Sequence, residues 1–348
     1  MAAESAVLLT GGGGFFGGLL RDRLLAKGRR VVSLDLVAQD SGSERLVAVR
    51  GDVRDGALVS RLLAGHDVET VFHCAAILAH AVENEAELWS ANVEGTRTLA
   101  EQARAHGVRG FVFTSSNCLW GRPFDRPVTE DEPPSPVEVY GRSKWEGERI
   151  LEAFRDEMNV VVLRCPTIMD EGRLGLLAIL FEFIDEGRKV WVVGGGENRY
   201  QFIYAGDLVE ACLLAEGHGR SAVFNVGADR VKSFREVYAD VIRRAGTAAR
   251  VASLPRGPTL FAMRIAYALK LSPLGPYQYK MIAEDFVFDT SRIKAELGWA
   301  PTLTNEEMLY RAYDYYHRNR LEIEGRRGVS AHREAVKMGI IRLLKWIS

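Results

Sequence analysis

"LLTGGGGFFGG", Leu8 to Gly18, decides the fold. It begins in the last residues of an apolar run and ends in the first residues of a helical pattern, with glycine between. Gly11, Gly14 and Gly17 carry the spacing G-x-x-G-x-x-G. A pyrophosphate needs backbone N–H groups close by and a helix N-terminus aimed at it, and only glycine lets the main chain come that near. A Gly-rich turn alone is weak evidence. Here a strand pattern precedes it, a helix pattern follows, and the next strand pattern ends at Asp35. That carboxylate stands where it accepts from both ribose hydroxyls and repels a 2′-phosphate, so NAD is expected rather than NADP.

Working outward, the first half alternates. Short apolar runs read as buried strands at 6–10, 30–35, 46–52, 70–76, 110–116 and 160–166, with helical segments at 16–27, 88–106 and 140–157. Strands that alternate with helices imply a parallel sheet covered on both faces. The expectation is an α/β protein, a Rossmann-type doubly wound parallel sheet with a smaller C-terminal substrate lobe. Residues 1–166 form the NAD-binding domain, which also draws on about 200–228. Residues 167–199 and 229–317 form the lobe, and 318–348 a basic amphipathic tail.

Bulk composition sets limits. The 348 residues carry a formal net charge of -1, 47% hydrophobic and 26% charged residues. That balance suits a globular protein and gives no reason to expect nucleic acid as a partner. Cys74, Cys118, Cys165 and Cys212 are scattered with no C-x-x-C pair, which suggests reduced thiols in a cytoplasmic protein and no metal site. No basic leader opens the chain and no apolar run is long enough to span a bilayer.

"VYGRSKWEGE" places Tyr140 and Lys144 four residues apart, on one face of a helix. A lysine cation beside a phenol lowers its pKa, so that tyrosine exchanges a proton with a carbinol or ketone near neutrality. "FVFTSSN" supplies Thr114, Ser115 and Ser116 at a strand end, where parallel sheets bind ligands. Singly these patterns are common. Their order behind the glycine cradle is what carries the reading.

Together the motifs resemble those of the extended short-chain dehydrogenases/reductases, the NAD-dependent epimerase/dehydratases, over about residues 5–318. "TGGGGFFG", "GDVRD", "FHCAA", "NVEGT", "TSS" with "YGRSK", "RCP", "FNVG" and "LGWAP" carry the resemblance. It implies cofactor contacts from Gly11, Gly14, Phe15, Phe16, Gly17, Asp35, Asp52, Val53, Cys74, Ala75, Ala76, Tyr140, Lys144 and Pro166. It implies Tyr140 as acid/base, Ser116 holding the substrate oxygen, Lys144 anchoring the ribose and lowering the Tyr140 pKa, and Asn92 supporting the site. It also implies a homodimer packed through the two helices at 87–107 and 143–154.

Three departures from the nucleotide-sugar members bear on substrate. "LRCPTIMD" has no asparagine after the strand. Tyr200 stands where an arginine is usual, with Arg199 one residue away. "GLLAILFEFI" puts Leu176, Leu177, Ile179, Leu180, Phe181 and Phe183 where an apolar pocket or a core helix is equally in keeping. The expected substrate is an apolar, lipid-like alcohol or ketone, such as a long-chain keto-lipid or a steroid. The alternative is a nucleotide-sugar 4-epimerase or dehydratase with tightly held NAD, which Asp35 suits well. The tail has eight Lys/Arg against three Glu. From 336 to 348 it has one apolar face, one cationic face and Trp346 at the edge, the pattern of a helix lying on a membrane surface.

Overall fold

A computed structural model describes residues 5–40, 42–78, 84–174, 177–269 and 276–325. The expected membrane-contacting segment 336–348, and Leu176 of the expected pocket, lie outside the described residues.

The first half runs β1 (Ala6–Thr10), α1 (Phe15–Ala26), β2 (Arg30–Asp35), β3 (Leu46–Arg50), α2 (Gly56–His66), β4 (Val68–His73), α3 (Glu85–Trp89), α4 (Gly95–Ala105), β5 (Gly110–Ser116), α5 (Val139–Glu152) and β6 (Asn159–Cys165). Then come β7 (Thr167–Met169), α6 (Leu177–Asp185), β8 (Lys189–Val193), β9 (Phe202–Tyr204), α7 (Ala205–Glu216), β10 (Ala222–Asn225), α8 (Phe234–Ala245) and β11 (Arg250–Leu254). The last helices are α9 (Arg256–Ala268), α10 (Pro276–Ala283), α11 (Ser291–Leu297), α12 (Asn305–Arg318) and α13 (Arg320–Gly325).

Seven parallel strands form the main sheet in the order β10-β6-β5-β4-β1-β2-β3. The order reverses between β1 and β4, which is where such sheets open a crevice for ligands. The central strands are apolar on both faces, and Val7, Leu8 and Leu9 of β1 have no exposed surface. This is why the strands read as continuous apolar runs rather than alternating ones. The expected doubly wound sheet is therefore present.

One helix departs from its expected form. The segment expected as one helix from 88 to 106 contains a π-helical turn at Ser90–Glu94 between α3 and α4. An extra residue in a turn rotates the side chains after it, and such turns cluster at functional positions. Here the turn directs Asn92 inward.

The apolar stretch around α6 is core, not pocket. Phe181 is fully buried and Phe183 and Ile184 nearly so, in one cluster with Met308, Leu309 and Tyr316 of α12. Phe181 lies 6.0 Å and 5.8 Å, centroid to centroid, from Tyr313 and Tyr316. Leu177 and Leu180 pack against the same cluster. Full burial of each such side chain stabilises by about 1.5–3 kcal/mol, and that is the use this sequence makes of them.

Candidate active site

The cradle forms at the C-terminal end of β1. Gly11 has φ +82°, in the left-handed region, and a Cβ there would lie 2.7 Å from the Ala75 backbone nitrogen. A Cβ on Gly17 would lie 2.1 Å from the Gly11 carbonyl oxygen. Gly12, which the spacing rule passes over, is crowded by side chains rather than backbone: its Cβ would lie 2.0 Å from Ser33 Oγ. Gly14 precedes the first turn of α1, and no side chain caps that turn. The helix N-terminus therefore faces the cradle bare, with the backbone of Phe15 and Phe16 in it. Asp35 closes the far side, accepting from Gly13 N at 2.8 Å and Val37 N at 2.9 Å. This donor set and this close backbone approach fit NAD.

Other expected cofactor positions surround it. Asp52 is held by Arg54 at 2.6 Å, which keeps its carboxyl below the usual range, and Arg54 also reaches Glu87 at 2.8 Å. Val53 packs on the start of α4, where a Cβ on Gly95 would come within 2.6 Å of it. Cys74, Ala75 and Ala76 form the loop after β4, with Cys74 N donating to Thr10 O and Ala75 N to Thr10 Oγ1. Pro166 is buried directly after β6.

Ser116 ends β5, level with Cys165 of β6 in the register. Its Oγ accepts from Cys118 N at 3.1 Å and hydrogen-bonds the Tyr140 phenol. Tyr140 and Lys144 lie in the first turns of α5, whose N-terminus Glu138 caps by accepting from the Tyr140 and Gly141 amides. The fold thus brings Ser116, Tyr140 and Lys144 together.

The expected lowering of the Tyr140 pKa is not found. Burial pushes the phenol well above its ordinary value, Cys118, Cys165 and Glu138 add to the rise, and only the Ser116 hydrogen bond opposes it. Lys144 aims elsewhere: its Nζ donates to Thr114 O at 2.8 Å and stands 4.6 Å from the Phe113 ring centroid. Burial brings the Lys144 ammonium down to about 8. Burial likewise pushes Cys74 and Cys165 up to about 12, which leaves them poor nucleophiles at neutral pH.

Asn92 anchors a network of which the sequence showed only one member. Its Oδ1 accepts from Ile77 N at 2.7 Å, and its Nδ2 donates to Ile77 O and to Ser143 Oγ, both at 3.0 Å. Ser143 Oγ donates in turn to Tyr140 O. On the other side Thr96 donates to Asn92 O at 2.6 Å, so Thr96 Oγ1 accepts from His73 Nε2 at 2.9 Å. That assigns the ring proton to Nε2 and leaves Nδ1 to accept from Thr10 Oγ1 at 2.7 Å. Burial holds His73 neutral, bringing it down to about 3. The chain Thr10–His73–Thr96–Asn92–Ser143 joins the cradle to the backbone of Tyr140. His73 lies within a quoted motif, but nothing local marks it as a link, because both its partners are distant in sequence.

Behind α5, Glu148 and Arg164 form an ion pair at 2.7 Å, both nearly fully buried. Ser115 Oγ donates to Glu148 at 2.5 Å and Arg164 Nη1 to Glu130 O at 2.8 Å. This pair ties α5 to the ends of β5 and β6.

On the lobe side, Tyr200 is buried and stacks on Phe234, and its hydroxyl accepts from Asn117 Nδ2 at 2.6 Å. Arg199 lies exposed beside Asp285, 3.7 Å away, so it does not replace the missing arginine at 200. Asn117, Trp120 and Tyr200 line a small pocket together with Arg122 and Glu284. Arg122 and Glu284 also line a separate cavity of about 710 Å³, with Phe124, Arg126, Asn198 and Arg256 among others. Arg122 and Arg126 both pair with the buried Glu132. Among the described residues Arg256 has no carboxylate partner. The cavity is polar and of mixed charge, not the apolar pocket expected.

The description "NAD dependent epimerase/dehydratase family" matches residues 7–227. The chain is 39% identical over 341 residues to an uncharacterized protein, y4nG, of Sinorhizobium fredii, covering 97% of this chain and 85% of the relative. It is 30% identical over 331 residues to a UDP-glucose 4-epimerase of Mycolicibacterium smegmatis, covering 89% and 97%. Its fold is similar to that of the UDP-glucose 4-epimerase of Thermotoga maritima, solved with UDP-glucose: TM-score 0.74, 26% identity, 90% and 99% of the two chains. With the cradle, the sheet order and these likenesses together, the chain belongs to the NAD-dependent epimerase/dehydratase family of extended short-chain dehydrogenases/reductases and is an NAD-dependent enzyme.

Proposed function

We propose that the protein is a 4-epimerase acting on a sugar linked to a diphosphate, such as a nucleoside-diphosphate sugar. The observation that carries this reading is the arginine-bearing cavity lined by Arg122, Arg126 and Arg256, which shares Arg122 with a small pocket lined by Asn117, the residue after Ser116. A diphosphate-linked sugar has polar groups for such walls, and a keto-lipid chain does not. The apolar residues that favoured a lipid are consumed in the α6 core. The likeness to UDP-glucose 4-epimerases supports the same direction.

In this reading Tyr140 takes the proton of the sugar hydroxyl and returns it, and Ser116 holds the reacting oxygen through its own hydroxyl. Lys144, whose Nζ donates to Thr114 O, would anchor the cofactor ribose with its remaining N–H groups. Asn92 fixes the 74–78 loop and α5 relative to each other. NAD, when bound, supplies the hydride acceptor and donor. Asp35 would accept from its ribose hydroxyls. Epimerisation is favoured over dehydration because dehydration also needs an acid for the leaving hydroxyl and a base for the neighbouring carbon. The residues after Ser116 are Asn117 and Cys118, which bring no carboxylate there.

Calorimetric titration of the NAD-loaded protein with UDP, GDP, CDP and dTDP tests this, followed by the matching sugar nucleotide. Micromolar binding of one diphosphate and conversion of its sugar to the 4-epimer are expected. Binding of none, together with turnover of a long-chain keto-lipid in micelles, overturns the reading.

A further inference from the structure

The helix α9 carries an apolar stripe that no described residue covers. Phe261, Ile265 and Leu269 follow one another at i, i+4 and i+8 and are 67%, 45% and 62% exposed. Tyr267 is exposed as well. Among the described residues, four of the ten large apolar side chains left exposed fall within these nine positions. Scattered single exposures are ordinary on a globular surface, but a clustered patch is not. The opposite side of α9 is fixed to the protein. Ala266 is buried, Tyr279 Oη donates to Met263 O at 2.9 Å, and the Tyr267 and Tyr279 rings meet edge to face. The stripe therefore belongs to a helix held in place, not to a loose end.

Charge says what covers it. From Arg250 to Ala283 the sequence has five basic residues (Arg250, Arg256, Arg264, Lys270, Lys280) and no Asp or Glu. The whole chain has 45 Lys/Arg against 46 Asp/Glu, so a run of this length without an acid is a local departure. Arg264 sits immediately before Ile265, at the edge of the stripe. Carboxylates occur at the N-terminal end of α9, where Arg256 shares the cavity rim with Glu197, Glu284 and Asp285. An apolar stripe edged by Arg264, in a stretch of sequence without Asp or Glu, is complementary to anionic headgroups over acyl chains. Basic flanks favour such a surface over a second copy, since two such helices would repel each other.

We infer that α9 docks on an anionic lipid bilayer, with Phe261, Ile265 and Leu269 entering the headgroup–acyl boundary and Arg264 meeting the phosphates. Arg256, at the start of α9, is five residues before Phe261, a rise of about 7 Å. The docking helix thus begins at the rim of the substrate cavity.

The test is co-sedimentation of the full-length, NAD-loaded protein with vesicles of phosphatidylcholine alone or with about a third phosphatidylglycerol, alongside sedimentation velocity without vesicles. The wild type is expected to pellet with the anionic vesicles and not with the neutral ones. Phe261→Glu combined with Ile265→Glu is expected to lower vesicle binding at least tenfold while leaving NAD binding intact. Full-length protein with Leu343→Glu and Leu344→Glu is expected to keep most of its binding. Failure of the wild type to bind anionic vesicles overturns the proposal. So does loss of binding only in the tail variant, or an α9 pair that converts a dimer to a monomer without changing vesicle binding. None of these readouts depends on which sugar is epimerised, so the inference stands or falls apart from the proposed activity.

Discussion

The two halves of the molecule are held around the site by opposite means. In the nucleotide-binding half, position is set by backbone and by a buried polar chain: the Gly11–Gly17 turn, then Thr10, His73, Thr96, Asn92 and Ser143. In the lobe it is set by aromatic packing. Trp120, Phe286 and Phe288 pack ring on ring, and Tyr200 stacks on Phe234. A polar chain is directional and fixes a few atoms tightly, whereas packing fixes a shape and tolerates exchange of its parts. On the proposed function, the chemistry lies on the first kind of support and the arginine-bearing cavity on the second. Mutations in the polar half should therefore change rate, and mutations in the aromatic half should change stability and substrate range.

The largest effect should come from Tyr140→Phe. It removes the proton-exchanging hydroxyl and leaves the ring, so turnover should fall roughly 10³-fold or more. NAD should co-purify as in the wild type, read by the absorbance of the purified protein. Unchanged turnover removes Tyr140 from the chemistry.

Phe181→Ala tests the other half. The ring is fully buried between α6 and α12, and its loss should cost about 3–5 kcal/mol of stability by denaturant titration. Turnover per folded molecule should change little. A large loss of activity at unchanged stability would mean that α6 lines the substrate after all and would undo the contrast between the halves.

The pH dependence of stability sharpens the polar side. His73 has a folded pKa of about 3 against an ordinary 6.5. Between those values the unfolded chain binds the proton and the folded one does not. Stability is therefore full above about 6.5 and is lost as pH falls toward 3. His73→Gln keeps hydrogen-bonding atoms in place without titrating, and should flatten the slope of melting temperature against pH in that window. Lys144, folded at about 8 against 10.5, gives stability that rises with pH between those values. An unchanged slope in His73→Gln would mean that the ring is not held neutral.

How much of this the sequence disclosed follows the same division. The cradle was legible because backbone geometry forces glycine at fixed spacing, and Gly11 and Gly17 would each collide through a Cβ. Tyr140, Lys144 and Ser116 were legible because a helix turn and a strand end set their relative positions locally. His73 escaped notice because its partners Thr10 and Thr96 are 63 and 23 residues away. The π turn that carries Asn92 inward breaks no propensity rule and leaves no composition signal. The use of α6 was undecidable because an apolar helix looks the same whether it faces a ligand or a core. What settled it was α12, more than a hundred residues on.

Tyr200 is where the two kinds of support meet, and it gives the smallest and most discriminating test. Its ring belongs to the aromatic packing of the lobe, while its hydroxyl accepts from Asn117, the residue that follows Ser116. Tyr200→Phe keeps the packing and removes the buried hydrogen bond from Asn117, so stability should fall by about 1 kcal/mol or more. Asn117→Ala should cost a similar amount, and the double mutant less than the sum of the two. A coupling near 1 kcal/mol in that cycle is what a direct tie between the halves requires. Strict additivity would mean that each side chain is held by its own half, leaving the lobe free to shift against Ser116. The substrate dependence of the rate would then have to come from the cavity walls alone, with Arg122 and Arg256 the next positions to vary.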